Sequence, residues 1–381
     1  MPGIYIHIPY CKKACHYCNF HFSTTLRNKP AMIEAILKEL EFRQSYLPAG
    51  PVDTVYFGGG TPSILEIREL GKIIKQIDRL FQVAPGAEIT LEANPDDLTE
   101  EKLKDLRAHT PVNRLSIGIQ SFADVDLHWM NRAHNQTHAR TCLEHALRQG
   151  FQNLTIDLIY GAPTTTDAQW VENMRIAFEY QIPHLSCYSL TVEEGTALGT
   201  FVKKGKQAPM DEEQAARQFE MLMDAALEQG YEHYEISNFA RPGHYAKHNT
   251  AYWLGEPYLG IGPAAHSFDG ISRQWNIANN ALYINSLEQS ILPFEREVLT
   301  PAQQFNEYIL TSMRTIWGAD RQKIDQWSPA FATHFDQAVQ QYLDTGTVEV
   351  IRHSYRLTRT GKLIADRIAS DLFVADTPGA I

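Results

Sequence analysis

Short apolar runs recur through the first half of the chain, each followed by a segment whose apolar positions return every three or four residues. The runs are 4–8, 54–57, 88–93, 114–119, 153–159 and 184–190, and the periodic segments are 31–43, 65–81, 99–108, 137–150 and 167–180. Six strand-then-helix units with near-continuous apolar strands predict a parallel sheet covered by helices. A TIM-like barrel, whole or cut to six units, satisfies this pattern, and so does a doubly wound open sheet. The polar residues favour the barrel. Gly58 to Thr61, Glu92, Gln120 and Asp157 fall at the C-terminal ends of successive strands, and a barrel brings those ends to one mouth.

Beyond residue 191 the pattern changes. Residues 191–210 read as a loop, 211–230 as an amphipathic helix ending in glycine, and 231–239 as a strand. Residues 240–280 carry many Gly, Pro, Asn and aromatic residues without a period, and a loop that long is usually functional. From about Thr300 a separate unit begins, with helical runs 301–315, 321–326 and 331–343, a β-ribbon, and a last helix from Thr360. That order predicts a winged-helix-like α+β domain. The chain therefore divides into 1–230, 231–299 and 300–381. Arg352, Arg356, Arg359, Lys362 and Arg367 make the tail locally basic. A DNA-binding wing and a packing module both fit, the second better.

Composition narrows the classes. A chain of 381 residues with 44% hydrophobic and 10% aromatic content builds a substantial core. No run is long enough to span a membrane and the start lacks a basic leader, so the expected location is cytoplasmic. A formal net charge of −11 argues against a large phosphate-binding surface. Five cysteines are an odd number, which suits metal-bound thiolates in a reducing compartment better than disulfides. Cys142 and Cys187 sit in apolar patterns and read as buried hydrophobes.

Cys11, Cys15 and Cys18 stand apart, in C-x3-C-x2-C spacing on one short loop. A structural zinc site wants four ligands and an ordinary cluster four cysteines. Three thiolates on a four-iron cluster leave one iron open to a chelating ligand. Zinc would need His16 or His21 as its fourth ligand. Tyr17 and Phe20 would cover the site with apolar surface. One βα unit later, Gly58-Gly-Gly-Thr-Pro-Ser63 follows a strand. Its glycines let backbone approach a ligand, and their amides and carbonyls can meet its polar groups.

The two motifs together resemble the radical SAM superfamily, in which the open iron binds S-adenosylmethionine (SAM). Tyr5-x-His-x-Pro-x-Cys, Leu91-Glu-Ala-Asn-Pro95, Ser116-Ile-Gly-Ile-Gln-Ser-Phe122, Asn131-Arg-Ala-His134 and Asp157-Leu-Ile-Tyr-Gly-Ala-Pro163 extend the resemblance to the HemN/HemW family over essentially the whole chain. It implies an incomplete (β/α)6 radical SAM barrel carrying a [4Fe-4S] cluster on Cys11, Cys15 and Cys18. It also implies SAM contacts at Tyr5, Gly59, Gly60, Thr61, Glu92, Gln120, Arg132 and Asp157, with Tyr17 beside them.

Within that family, the oxygen-independent coproporphyrinogen III oxidases carry a further cysteine where this chain has Phe20, and an arm ahead of the first strand, which here begins by Ile4. Oxidase activity, cleaving SAM to decarboxylate coproporphyrinogen propionates, is therefore the alternative rather than the expectation. His248-Asn-Thr-Ala-Tyr-Trp253 matches the H-N-x-x-Y-W signature of the heme-chaperone branch. The resemblance implies heme contact at His248, Tyr252 and Trp253, with His244 and His266 as weaker candidates. Among fifteen histidines, a lone His in an aromatic segment is otherwise a hydrogen-bonded one. The implied function is heme uptake and delivery to heme-requiring respiratory proteins, with a homodimer and peripheral membrane contact.

Overall fold

The computed structural model describes residues 2–375. Six strands, β1 (Gly3–Ile8), β2 (Val52–Gly59), β3 (Val83–Ala93), β4 (Arg114–Gln120), β5 (Leu154–Tyr160) and β6 (His184–Ser189), lie side by side in chain order, every neighbouring pair parallel. The crossovers carry α1 (Lys29–Phe42), α2 (Ile67–Phe81), α3 (Glu100–His109), α4 (Asp124–Trp129), α5 (Gln136–Arg148) and α6 (Asp167–Glu179). Helix α2 shows why these segments are helical. Leu70, Ile73, Ile74, Ile77 and Phe81 form one buried stripe, and Glu66 and Glu69 close a capping box at its start. Burying each such side chain contributes about 1.5–3 kcal/mol before entropy.

Past β6 come α7 (Ala197–Lys203), α8 (Glu212–Glu228), β7 (Glu232–Glu235), β8 (Asn238–Ala240), α9 (Lys247–Trp253), β9 (Tyr258–Ile261), β10 (His266–Phe268), β11 (Ser272–Asn276), α10 (Asn280–Glu288) and β12 (Phe294–Val298). Their strands extend the sheet at both edges. Strand β9 pairs parallel with β1 and leads outward through β10, β11 and β12, while β8 pairs antiparallel with β6 and β7 lies beyond it. The result is one twelve-stranded sheet in which β12 and β7 are the unjoined edges. Its six parallel βα units form the incomplete (β/α)6 barrel expected from the sequence. Residues 231–299, set apart on sequence pattern, share this sheet rather than standing as a separate body. Strands of three to five residues flanked by aromatic loops carry too little period to be seen.

The C-terminal unit runs α11 (Pro301–Met313), β13 (Ala319–Asp320), α12 (Arg321–Ile324), α13 (Pro329–Asp344), β14 (Val348–Ile351), β15 (Ser354–Leu357), α14 (Arg359–Lys362) and α15 (Ala365–Asp371). It has its own core around Phe305, Ile309, Phe335 and Ile368, and a three-stranded sheet in the order β13-β15-β14. This is the winged-helix order. Helix α13, where a DNA reader would carry its cations, contains no Lys or Arg, only Asp336 and Asp344 among its charges. Two of the tail's basic residues turn toward the barrel instead. Arg359 donates to both carboxylate oxygens of Asp224 on α8, and Lys362 Nζ lies 3.0 Å from His233 Nδ1.

Candidate cluster and cofactor site

The cysteine loop leaves the C-terminal end of β1 and is closed at its base by backbone. Ser23 N–H donates to Pro9 O at 2.9 Å and Cys11 N–H to Ser23 O at 3.0 Å. Midway, His16 N–H donates to Met130 O at 3.1 Å, and its carbonyl accepts from Leu198 N–H at 2.7 Å. The His16 ring is also taken, its Nδ1 lying 2.8 Å from Trp129 O. His21 Nε2 lies 2.8 Å from Asn280 Oδ1. Among the described residues no three His, Cys, Asp or Glu side chains converge on a point fit for a single metal ion. Mononuclear zinc needs such convergence, whereas a four-iron cube gives each thiolate its own corner.

Cys11, Cys15 and Cys18, all partly exposed, line one cavity of about 450 Å³. Tyr17, Gly59, Gly60, Thr61, Glu92, Gln120, Arg132 and Asp157 line the same cavity. Of the residues expected at SAM, only Tyr5 lies off this wall. Its hydroxyl is 3.2 Å from His7 Nδ1, and its ring occupies the space a Cβ at Gly58 would enter, 2.8 Å away. Tyr5 supports the glycine run from beneath. Phe20 reaches the mouth but is 67% exposed, so it covers less than expected.

The glycine run is pressed against the start of the cysteine loop. A Cβ on Gly60 would stand 2.6 Å from Tyr10 O and 2.8 Å from Ile8 O, and Gly59 has φ +103°. The amides expected to meet a ligand are already committed. Gly59 N–H donates to Glu92 Oε2 at 3.2 Å, Gly60 N–H to Ile8 O at 2.9 Å and Thr61 N–H to Tyr10 O at 2.7 Å. Carbonyl oxygens, acceptors suited to an ammonium, are what the run has left to offer.

Two sulfurs already receive hydrogen bonds. Thr61 Oγ1 donates to Cys11 Sγ at 3.3 Å, and Arg132 Nη1 to Cys15 Sγ at 3.2 Å. Arg132 Nη2 also donates to Asn94 Oδ1 (2.7 Å) and Gly118 O (2.8 Å), while its Nε is buried without a partner. Burial opposes this guanidinium's charge, but Tyr17 and Cys15 outweigh it and hold the group above its ordinary pKa. Burial pushes Glu92 up to about 7, although Tyr56 O–H donates to it at 2.7 Å. Asp157 also rises to about 7, through burial and then the charge of Glu92. Two half-buried carboxylates and the Arg132 guanidinium thus line a single cavity, complementary to a ligand with ammonium, hydroxyl and carboxylate groups. Gln120 adds strain, with φ +65° at the end of β4.

Asn94 and Gly118 escaped the sequence reading as site residues. Asn94 links Arg132 to Thr61, donating to Thr61 Oγ1 at 3.2 Å. A Cβ on Gly118 would sit 2.9 Å from Gln120 Nε2. A glycine inside a strand was the available signal of close approach.

The three residues expected at heme part company. Helix α9 carries His248 into the sheet's interior, buried, with Nδ1 2.8 Å from Thr54 Oγ1 and Nε2 2.7 Å from Tyr252 Oη. The ring stacks on Tyr56, and burial lowers its pKa to about 3. Gly3 makes the room, since a Cβ there would come within 3.0 Å of the imidazole. As placed, His248 has no free nitrogen to offer an iron. Tyr252 and Trp253 instead line a second cavity, shared with the C-terminal unit. His244 and His266 are both exposed.

The Radical SAM superfamily profile matches residues 5–177. Heme chaperone HemW of Bacillus subtilis (strain 168) is 32% identical over 97% of this chain and 98% of its own length. Heme chaperone HemW of Mycobacterium tuberculosis (strain ATCC 25618 / H37Rv) is 33% identical over 97% and 94%. Among solved structures, the radical SAM coproporphyrinogen III oxidase HemN of Escherichia coli superposes with a TM-score of 0.84 at 24% identity, covering 98% of this chain and 90% of the oxidase.

Proposed function

Because the chain belongs to the radical SAM superfamily and, within it, to the HemW heme chaperones, we propose that it binds heme and delivers it to heme-requiring proteins, with a [4Fe-4S] cluster and SAM as its resident cofactors. The observation that carries the cofactor half is one cavity lined by three cysteine sulfurs, an arginine and two half-buried carboxylic acids. Cys11, Cys15 and Cys18 would hold the cluster. Arg132 would face the carboxylate of SAM, the Gly59–Gly60 carbonyls its ammonium, and Glu92 and Asp157 its ammonium or ribose hydroxyls. When bound, the cluster supplies a one-electron redox centre with one iron open to chelation.

The chain's own groups do the positioning. Thr61 and Arg132 hydrogen-bond two sulfurs, which favours the more negative state of whatever they ligate. Asn94 fixes the Arg132 plane, and Tyr56 and the Gly59 amide fix Glu92. Delivery to respiratory proteins, homodimer formation, a cytoplasmic location and peripheral membrane contact complete the proposal. Among the described residues no helix is long and apolar enough to cross a membrane.

The fold alone is shared with the oxidase, so the reaction must separate the two readings. Anaerobically reconstituted protein should bind hemin by absorption titration and pass it to a heme-free acceptor. With coproporphyrinogen III and SAM it should form no protoporphyrinogen. Turnover of coproporphyrinogen at enzymatic rates would replace the chaperone reading with the oxidase one.

A further inference from the structure

Resting on the heme reading above, we propose that the second cavity, at the seam between the open sheet and the C-terminal unit, is where the porphyrin lies, with Arg356 and Lys323 meeting its propionates. At about 660 Å³ it is larger than the cluster cavity and shares no lining residue with it, so heme and SAM do not compete for space. The sheet side contributes Tyr252 and Trp253, and the C-terminal side Trp317, Trp327, Arg356 and Lys323. Three of the chain's six tryptophans meet here, which suits a flat apolar macrocycle.

The charges decide what kind of macrocycle. Arg356 on β15 forms no ion pair among the described residues, and its Nε is buried without a hydrogen-bond partner. Its stem packs where Gly318 has no side chain, since a Cβ there would stand 2.7 Å from Arg356 Cγ. Lys323 Nζ stands 5.2 Å from the centre of the Tyr308 ring and likewise has no acidic partner. The third cation, Arg273, is already spent on Glu307, with Nη2 donating to Oε2 at 2.8 Å. The wall carries three acids: Glu307 is thus neutralised, Asp320 accepts the Gln322 amide at the start of α12, and Glu256 is the third. In a chain of net charge −11, two cations without an ion-pair partner beside three indoles suit a planar ligand with carboxylates.

The test uses the full-length, anaerobically reconstituted protein and hemin, followed by absorption and tryptophan quenching. Arg356→Gln and Lys323→Gln should each weaken hemin binding roughly tenfold, with cluster content and SAM affinity unchanged, and Arg356→Lys should recover part of the loss. Hemin dimethyl ester, which lacks the carboxylates, should bind wild type and both variants alike. Should Arg356→Gln lose its cluster, the exposed Lys323→Gln carries the test. Equal hemin affinity in wild type and variants, or an equal loss with the diester, overturns this site while leaving the chaperone reading intact. A wild-type protein that binds no hemin overturns both.

Discussion

At the residue scale the cofactor cavity is governed by three half-buried ionisable groups, Glu92, Asp157 and Arg132. Glu92 and Asp157, raised to about 7 by burial, hold protons in the ligand-free protein near neutrality. A ligand bringing an ammonium or hydroxyl donors favours the ionised carboxylates. SAM affinity should therefore be highest above pH 7 and fall below it, by up to about tenfold per pH unit for each group, as calorimetry from pH 6 to 8.5 would show. The same shift acts on the empty protein with opposite consequence. Between the unfolded pKa, about 4, and 7 the folded state binds more protons, so these two groups lower stability as pH rises through that window. Arg132→Gln removes the N–H···S bond to Cys15. The cluster potential should become more negative in an EPR-monitored titration, and SAM binding should weaken by at least about tenfold. An unchanged potential would detach Arg132 from the cluster.

At the element scale, α9 and the glycine run are fitted to their surroundings more tightly than their sequences suggest. Gly60→Ala drives a methyl between two backbone carbonyls that cannot both yield, which should cost about 1–3 kcal/mol and lower cluster occupancy, read by thermal unfolding and iron analysis. His248→Ala leaves the Thr54 and Tyr252 hydroxyls without a partner inside the sheet. A loss of about 2–4 kcal/mol is expected, and a variant as stable as wild type would free this histidine for another role. The six parallel strands were legible because each is buried on both faces and reads as one apolar run. So were the helices with long stripes, such as α2. Helix α7 was not, because seven residues beginning at the Thr196 cap fall inside a stretch rich in Gly and Lys. Residues 231–239 read as one strand but fold as β7 and β8, a hairpin whose turn at Ile236 and Ser237 carries no Gly, Asn or Pro. The cluster loop and glycine motif were readable from local spacing. The placement of His248 beneath Tyr56 was not, since that contact is settled by packing across almost two hundred residues.

At the scale of the whole molecule, two cores meet along a seam that holds the larger of the two cavities, and the sheet carries the cysteines at the far end of its first strand. Four backbone bonds shape the cysteine loop without using a sulfur, Ser23 to Pro9, Cys11 to Ser23, His16 to Met130 and Leu198 to His16, and they stand beside the side-chain bonds of Thr61 and Arg132 to Cys11 and Cys15. Chelating the iron should therefore leave far-UV circular dichroism unchanged, and thermal unfolding should drop by only a few degrees. A collapse of secondary structure on demetallation would contradict this. Zinc fingers, by contrast, are assembled by their metal. A receptacle held in that way would let iron and sulfide be installed after folding, stripped by oxygen and installed again without the chain having to be remade.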